Sequence, residues 1–249
     1  TAICDDIYNK RGIMKYYGVN EIDKYLYENY LKYLKKDSPS YIECGAVDGK
    51  QQSNTAILDF HYGWHGILIE ANPHLYGRLA QNRKNVFTAN CALVSHDYTE
   101  EYIEGFFNNK VPSARFFDDP NPNGEEYDWL VYKNHKSDKE HQNAMSGQIK
   151  TNHNYDEERF PNDTALLEVP AKTLDSLFKE SGLGQADFFS LDVEEYEEEA
   201  LKGWSPLKYP ISYVLVETTE NSGATKYMTS HNYKIIDKID NNILFQKKD

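Results

Sequence analysis

The sequence of 249 residues predicts a single α/β domain, built on a mostly parallel sheet of seven strands that ends in an antiparallel C-terminal hairpin. Between residues 41 and 94, short apolar runs alternate with helical patterns, which is the rhythm of a parallel sheet wound with right-handed crossovers. The same rhythm resumes after residue 166. Near the C-terminus, two apolar runs flank Asp240-Asn241-Asn242, and a turn of this composition between two strand patterns indicates a hairpin.

The first part of the chain has the pattern of a helix that covers the sheet. Apolar and aromatic residues between positions 20 and 36 fall near helical spacing. We therefore expect one amphipathic helix over residues 20–36, within a helical cover formed by residues 1–40. Residues 37–40, Asp-Ser-Pro-Ser, break this helix and lead into the first strand.

The remaining elements follow in order. The first predicted strand begins at residue 41, and the other predicted strands cover residues 66–70, 86–94, 187–192, 211–217, 233–237 and 243–246. The predicted helices cover residues 54–60, 73–82 and 173–181, and a further helix stops at Gly203. Pro73 opens the second of these helices, because proline fits the first turn.

A long polar segment interrupts this rhythm. Residues 95–165 are polar and acidic, and they contain the histidines His135, His141 and His153. An irregular segment of this length inside a compact domain is usually functional or disordered. We expect an inserted lid beside the ligand site, with mobile stretches around residues 118–128.

The composition argues against several classes of partner. A formal charge of −13 opposes binding to nucleic acid, because that affinity rests on lysine and arginine beside phosphates. No apolar stretch approaches the roughly 20 residues of a transmembrane helix. The first residues lack the regions of a signal peptide, so we expect a soluble, cytoplasmic chain without a membrane span. The three cysteines lack the spacing of a zinc site or a disulfide framework, and Cys44 and Cys91 are expected in the core.

Residues 41–49, Tyr-Ile-Glu-Cys-Gly-Ala-Val-Asp-Gly, combine a strand pattern with a tight loop of the form Gly-x-x-x-Gly. Glycine accepts positive φ and lets a ligand approach the backbone, while the following helix directs unpaired N–H groups towards it. Glu70 ends the next strand about twenty residues beyond the loop, where a carboxylate can accept both hydrogen bonds of a ribose diol. The pattern predicts a site for an adenosine-containing ligand. The alternative is a turn of purely structural kind.

Acidic side chains end three of the predicted strands. They are Glu70, Asp192 with Glu194, and Glu217. Because ligands of open α/β sheets bind at the carboxyl ends of the strands, we expect these groups to surround one crevice, whose charge favours a cationic ligand. The acids that follow are interpreted as the solvated start of a helix, namely Glu195, Glu197, Glu198 and Glu199.

The combination of these motifs resembles the FkbM-type methyltransferases, including their Star-like relatives. The matching stretches are residues 42–49, 53–55, 63–73, 82–84, 90–93, 174–177, 187–194 and 201–203. The resemblance implies the Rossmann-like class I methyltransferase fold and O-methylation that depends on S-adenosylmethionine, often at a sugar or polyketide hydroxyl. One departure is Glu195, which stands where the family usually has glycine and could alter the turn into the helix. The other is the segment 95–165, which matches nothing assignable.

The resemblance also implies which residues bind the methyl donor. They are Glu43, Gly45 and Asp48 along its methionine part, Ser53 and Asn54 beside it, Glu70 on the ribose, and Asn90 and Cys91 near the adenine, together with Ala71 and Asp192.

The leading hypothesis is an O-methyltransferase that acts on a hydroxyl of a sugar, a glycan or a similar small molecule. Asp192 is the first candidate for the catalytic base, followed by Glu194, Glu217 and His153. Asp192 and Glu217 could instead hold Mg²⁺ or Mn²⁺. The alternatives are a non-catalytic Star-like binding or trafficking module and a nicotinamide-dependent oxidoreductase, which the lack of a third glycine disfavours.

Overall fold

A seven-stranded sheet forms the centre of the molecule. The computed structural model describes residues 15–108, 147–149 and 164–248. The strands of this part are β1 (Ser40–Cys44), β2 (His65–Ile69), β3 (Phe87–Ala89), β4 (Ala92–Leu93), β5 (Tyr102–Asn108), β6 (Gly147–Ile149), β7 (Thr164–Lys172), β8 (Ala186–Leu191), β9 (Ile211–Glu217), β10 (Tyr233–Ile239) and β11 (Asn242–Lys247). The main sheet has the order β10-β11-β9-β8-β1-β2-β3. The strands β9, β8, β1, β2 and β3 run parallel to one another, and β11 lies between β9 and β10 and is antiparallel to both. The predicted sheet and hairpin are confirmed.

Most helices in the described ranges connect strands. The α-helices of these ranges are α1 (Ile22–Asn29), which precedes the first strand, α2 (Ala56–Tyr62), α3 (Pro73–Asn82), α4 (Leu174–Ser181), α5 (Glu197–Lys202) and α6 (Gly223–Ser230). Local capping explains several of their ends. Asn72 caps α3 with Pro73 at its first position, and Thr173 caps α4, which ends at Gly182 in the left-handed conformation. The helix α6, which begins after the capping side chain of Ser222, was not predicted.

The two faces of the main sheet carry separate apolar clusters, because successive side chains of a strand point to opposite faces. One face includes Ile42, Cys44, Ile69, Phe189 and Val214, and the other includes Tyr41, Leu68, Phe188, Leu215 and Leu244. The second cluster is closed by Leu26 of α1, which is buried against it. The cover segment therefore lies on the face that carries Tyr41.

The cover helix is shorter than the predicted helix over residues 20–36. Only Ile22–Asn29 is α-helical, and 3₁₀ turns flank it on both sides. Tyr30 leaves the helical conformation, with φ −130°. The hydroxyls of Tyr25 and Tyr30 donate hydrogen bonds of 2.8 and 2.7 Å to the carboxylate of Asp237 in β10. These contacts with the hairpin, more than 200 residues away along the chain, accompany the change of direction after Asn29.

A second, four-stranded sheet has the order β4-β7-β5-β6. The predicted strand over residues 86–94 is wrong as one strand, because it breaks at Asn90 and its second part, β4, pairs in parallel with β7. The predicted insertion over residues 95–165 is also not irregular throughout, since β5 pairs antiparallel with β7 over seven residue pairs. The stretch 118–128 and the histidines His135, His141 and His153 lie outside the described residues.

No helix in the described ranges is both long enough and apolar enough to cross a lipid bilayer.

Candidate active site

Four parallel strands bring the predicted site residues to the same edge of the main sheet. The glycine loop follows β1, Glu70 follows β2, Asp192 follows β8, and Glu217 is the last residue of β9. Because these strands are neighbours in the order β9-β8-β1-β2, their carboxyl ends form one continuous edge. This edge is the candidate active site.

The glycine loop packs directly against the end of β8. Gly45 has φ +81°, and a Cβ atom there would lie 1.8 Å from the backbone oxygen of Asp192. The backbone N–H of Asp192 donates to the carbonyl of Cys44 at 3.1 Å. A residue other than glycine at position 45 would therefore displace Asp192 or the loop.

Glu70 is a buried carboxyl group that holds the middle of the loop. One of its oxygens accepts a hydrogen bond of 2.8 Å from the backbone N–H of Val47, which has φ +51°. The other accepts a bond of 2.8 Å from the N–H of Asn72. Burial raises the pKa of Glu70 to about 7, although these N–H groups favour the ionised form. Glu70 therefore joins the loop to the start of α3, and its remaining lone pairs can accept further hydrogen bonds.

Glu43 lies in the protein interior, and its oxygens are satisfied by the chain itself. One oxygen accepts hydrogen bonds from the hydroxyls of Ser53 at 2.6 Å and Thr55 at 2.7 Å. The other accepts the N–H of Asn54 at 2.7 Å. The hydroxyl of Ser53 also accepts the N–H of Ala56 at the start of α2. Contact of Glu43 and Ser53 with a donor stays a prediction, while the structure shows that they fix the segment after the loop.

Asp48 and Asn54 shape the backbone on either side of this segment. Asp48 accepts the N–H groups of Lys50 and Gln51 at 2.9 and 2.7 Å, which makes a tight turn. The amide nitrogen of Asn54 donates to the hydroxyl of Ser190 at 3.0 Å. Its amide oxygen is buried without a hydrogen-bond partner in the described part of the chain. This oxygen lies beside Gly18 of the cover segment, where a Cβ atom would come within 2.9 Å of it.

The residues predicted near the adenine have mixed positions. The amide of Asn90 donates to the carbonyls of Glu70 and Ala71 at 2.8 and 3.0 Å, and so links the ends of β2 and β3. Ala71 packs beside the apolar cluster of the second sheet. Cys91 is buried in the core, and burial raises the pKa of its thiol to about 12. The structure therefore supports the prediction that Cys91 is a core residue.

Carboxyl groups converge where β8 and β9 end. Within the described ranges, Asp192, Glu197 and Glu217 bring one oxygen each within 4.8 Å of one another. Asp192 is exposed at the surface, although many protein atoms lie close to its carboxyl group. This partial removal from water, the charge of Glu217 and a hydrogen bond to Glu217 raise the pKa of Asp192 well above its usual range. Asp192 and Glu217 are thus neighbouring carboxyl groups, and we refer to them as the acid pair.

Glu197 was not predicted as a site residue, and its interpretation as a solvated helix start is wrong. Its side chain is buried, and its carboxylate accepts the N–H of Val193 at 3.0 Å. Burial raises its pKa, and Glu217 adds to this rise. In a run of six residues that contains five glutamates, residue type alone does not distinguish the inward-facing glutamate.

Two consecutive residues after Asp192 have left-handed backbone conformations. Glu194 has φ +56° and Glu195 has φ +72°. Glu195 therefore keeps the conformation that glycine adopts most easily, so the turn into α5 is retained despite the side chain. Burial raises the pKa of Glu194 to about 7, with further contributions from Glu217 and Glu197. Backbone strain of this type often occurs at functional sites.

The arrangement offers two kinds of chemistry. A carboxyl group with a raised pKa is a stronger base once it is ionised, so the acid pair can accept a proton from a reacting hydroxyl. Oxygen atoms from Asp192, Glu197 and Glu217 are also the ligand type that Mg²⁺ and Mn²⁺ prefer. His153, the remaining predicted catalytic residue, lies outside the described residues.

Comparisons with known proteins identify the family. Residues 43–239 match the model of the methyltransferase FkbM domain. No curated protein matches the chain in sequence. Among solved structures, the chain is similar to precorrin-6y C5,15-methyltransferase from Geobacter metallireducens GS-15, with 10% identity, a TM-score of 0.40, and coverage of 91% of this chain and 89% of that chain. It is also similar to methyltransferase FkbM from Methylobacillus flagellatus KT, with 14% identity, a TM-score of 0.43, and coverage of 90% of this chain and 50% of that chain, so it spans half of that protein. Because the family model covers most of its length, this chain belongs to the FkbM methyltransferase domain family and has the predicted class I methyltransferase fold.

Proposed function

We propose that the chain is an O-methyltransferase that transfers a methyl group from S-adenosylmethionine to a hydroxyl of a sugar, a glycan or a similar small molecule. The observation that carries this proposal is the convergence of the glycine loop, Glu70 and the Asp192–Glu217 acid pair at one sheet edge. The family assignment supports methyl transfer. The choice of a hydroxyl acceptor rests on the acid pair, which can take the proton that such a group must lose.

The residues at this edge fit S-adenosylmethionine, the usual donor of methyltransferases with this fold. The bound donor supplies an electrophilic methyl group on a positively charged sulfur. Glu70 is a carboxyl group at this edge, and a carboxylate can accept the hydrogen bonds of ribose hydroxyls in addition to those from Val47 and Asn72. The acids at the ends of β8 and β9 give the crevice a negative potential that favours a cation.

The protein's part in the reaction is to orient the acceptor and to accept its proton. In the proposed step the acceptor oxygen bonds to the methyl carbon, the sulfur–methyl bond breaks, and the hydroxyl proton passes to a carboxylate oxygen of the Asp192–Glu217 pair. Holding the two reactants in line supplies much of the acceleration, because it replaces a bimolecular encounter. A positioned base typically contributes about 10²- to 10⁴-fold.

The same acids could serve as ligands of Mg²⁺ or Mn²⁺, which would lower the pKa of the acceptor hydroxyl. Asp192 and Glu217 were predicted for this role, and Glu197 completes the set. Chelation distinguishes the two roles: loss of transfer in EDTA with recovery on added Mg²⁺ or Mn²⁺ indicates a metal, and full transfer in EDTA leaves the base.

The first experiment is calorimetric titration of the protein with S-adenosylhomocysteine and, separately, with NAD. We expect binding of S-adenosylhomocysteine alone. Binding of NAD instead would favour the nicotinamide-dependent oxidoreductase, and the absence of binding by either would favour the non-catalytic module.

The second experiment tests the acid pair with Asp192→Asn, assayed by transfer of a labelled methyl group to mixtures of sugars and polyols. Loss of the carboxylate should lower transfer by at least about 100-fold, with a much smaller change in donor affinity. Glu198→Gln is the matched control, because Glu198 is exposed on α5 and pairs with Lys202. Near-normal transfer by Asp192→Asn would contradict both proposed roles of this residue.

A further inference from the structure

Arg83 is a fully buried cation next to the glycine loop, although no site prediction included it. Its side chain lies at the end of α3 and is 1% exposed. The guanidinium donates to the carbonyl of Gly49 at 2.8 Å, to the hydroxyl of Tyr41 at 2.6 Å and, through Nε, to the carboxylate of Asp59 at 2.8 Å. One side chain therefore connects the second loop glycine with β1 and α2.

The same guanidinium faces Glu43 across two hydroxyl groups. It lies 3.5 Å from the oxygen of Ser53 and 3.4 Å from that of Thr55. Both hydroxyls donate to one oxygen of Glu43, at 2.6 and 2.7 Å. The segment between Gly49 and Thr55 is thus held from two sides by buried groups of opposite charge.

The contact with Gly49 is also steric. Gly49 has φ +79°, and a Cβ atom there would lie 2.8 Å from Cγ of Arg83 and 2.6 Å from Cδ1 of Leu79. The rings of Tyr41 and Phe60 lie 5.5 and 5.1 Å from the guanidinium carbon, so cation–π contacts restrict it further. A buried charge is retained only when its hydrogen bonds are satisfied, and here the loop carbonyl is one of the acceptors.

We propose that Arg83 is a positioning residue for methyl-donor binding. It touches neither donor nor acceptor, and it acts by holding the carbonyl of Gly49 so that the loop from Gly45 to Gly49 keeps its ligand-binding conformation before the donor arrives. A site that is ordered beforehand binds its ligand more tightly, because less conformational freedom is lost on binding. The proposal rests on the proposed function for the identity of the donor.

The test compares Arg83→Lys with two variants that remove other partners of the guanidinium. Lysine keeps the charge, but it cannot reach Gly49, Tyr41 and Asp59 at once, because it has a single nitrogen. Tyr41→Phe and Asp59→Asn weaken the same buried network without touching the loop carbonyl. Lys84→Met is the control at the exposed neighbouring position.

Donor affinity and loop dynamics are the measurements. By calorimetry, Arg83→Lys should bind S-adenosylhomocysteine at least 10-fold more weakly than the wild type. In the methyl-transfer assay, the Michaelis constant of this variant for the acceptor should be unchanged. By hydrogen exchange of the ligand-free protein, amides of residues 45–52 should exchange at least 10-fold faster in Arg83→Lys. Tyr41→Phe and Asp59→Asn should lower the melting temperature and leave both measurements within threefold of the wild type.

Two results would overturn the proposal. One is unchanged loop exchange and donor affinity in a folded Arg83→Lys variant. The other is an equal loss of affinity in Tyr41→Phe and Asp59→Asn, which would make Arg83 a residue of general stability. If the wild type binds no S-adenosylhomocysteine while the loop exchange still depends on Arg83, the proposed function fails and the effect of Arg83 on the loop stands.

Discussion

Replacement of Glu70 by glutamine separates the contribution of this residue to donor binding from its contribution to stability. Glutamine has nearly the same shape as glutamate, but it carries no charge and presents an N–H₂ group in place of one oxygen. In the wild type, both oxygens accept backbone N–H groups, those of Val47 and Asn72. One of these fixed donors will therefore face another donor in Glu70→Gln.

The loss of the charge should weaken donor binding at pH 8. A hydrogen bond to a charged group contributes about 1.5–3 kcal/mol, and the ribose hydroxyls would lose such a partner. This range corresponds to a dissociation constant for S-adenosylhomocysteine that is about 10- to 150-fold higher. Glu28→Gln, at an exposed position of α1, is the control and should bind as the wild type does.

The dependence of stability on pH should change as well. Burial raises the pKa of Glu70 from its ordinary value of 4.5 to about 7, which corresponds to about 3 kcal/mol against the ionised form. A raised pKa gives stability that is complete below the unfolded value and is lost as the pH rises through 7. Glu70→Gln, which never ionises, should lack this loss, so its stability relative to that of the wild type should rise by up to about 3 kcal/mol between pH 5 and pH 8. The N–H₂ group that faces a fixed donor should lower its stability by the same amount at both pH values, about 1–3 kcal/mol.

Calorimetry for affinity and urea unfolding at pH 5 and pH 8 for stability complete the test. A dissociation constant within twofold of the wild type at pH 8 would remove Glu70 from the donor site. A variant whose stability depends on pH as that of the wild type does would contradict the raised pKa of Glu70.

The remaining predictions concern two other acids. Glu43→Gln should keep the affinity for S-adenosylhomocysteine within about fivefold of the wild type, a change of about 1 kcal/mol or less. The reason is that the hydroxyls of Ser53 and Thr55 can rotate to accept the new N–H₂ group. A larger loss of affinity by calorimetry would give Glu43 a direct role in donor binding. Glu194, with a pKa raised to about 7, should make the protein less stable as the pH rises from 5 to 8, because the folded state binds more protons than the unfolded state in this range. Glu194→Gln should flatten the dependence of the unfolding midpoint on pH, and an unchanged slope would contradict the raised pKa.

The sequence predicted those elements whose signals are local. The helix α4 could be predicted because Thr173 and Gly182 mark its two ends, and β9 could be predicted because an apolar run ends at a carboxylate. The second sheet could not be predicted, because β4 pairs with β7 about 80 residues further along the chain. The early end of the cover helix also depends on a distant partner, Asp237. Such pairings leave no pattern within a window of one helix or strand.

The same limit applies to the site. Its position at the carboxyl ends of the strands could be predicted from the fold, but the role of each acid depends on the groups that face it. Arg83 had no local pattern that marked it, since its partners come from β1, the loop and α2. Glu197 lies within a run of glutamates, and its burial in the folded protein is what distinguishes it.

Glu43 and Glu70 show how the facing groups decide the role of an acid. Both are buried carboxyl groups beside the loop, and both were predicted to contact the donor. Glu43 meets the hydroxyls of Ser53 and Thr55, which can either donate or accept, so its charge can be removed without leaving an unsatisfied donor. Among the described residues, the hydrogen bonds to Glu70 come from backbone N–H groups, which can donate and cannot accept. Glu70 must therefore remain a hydrogen-bond acceptor, and it lies at the sheet edge where ligands bind. Its charge is the one that a ribose diol can use.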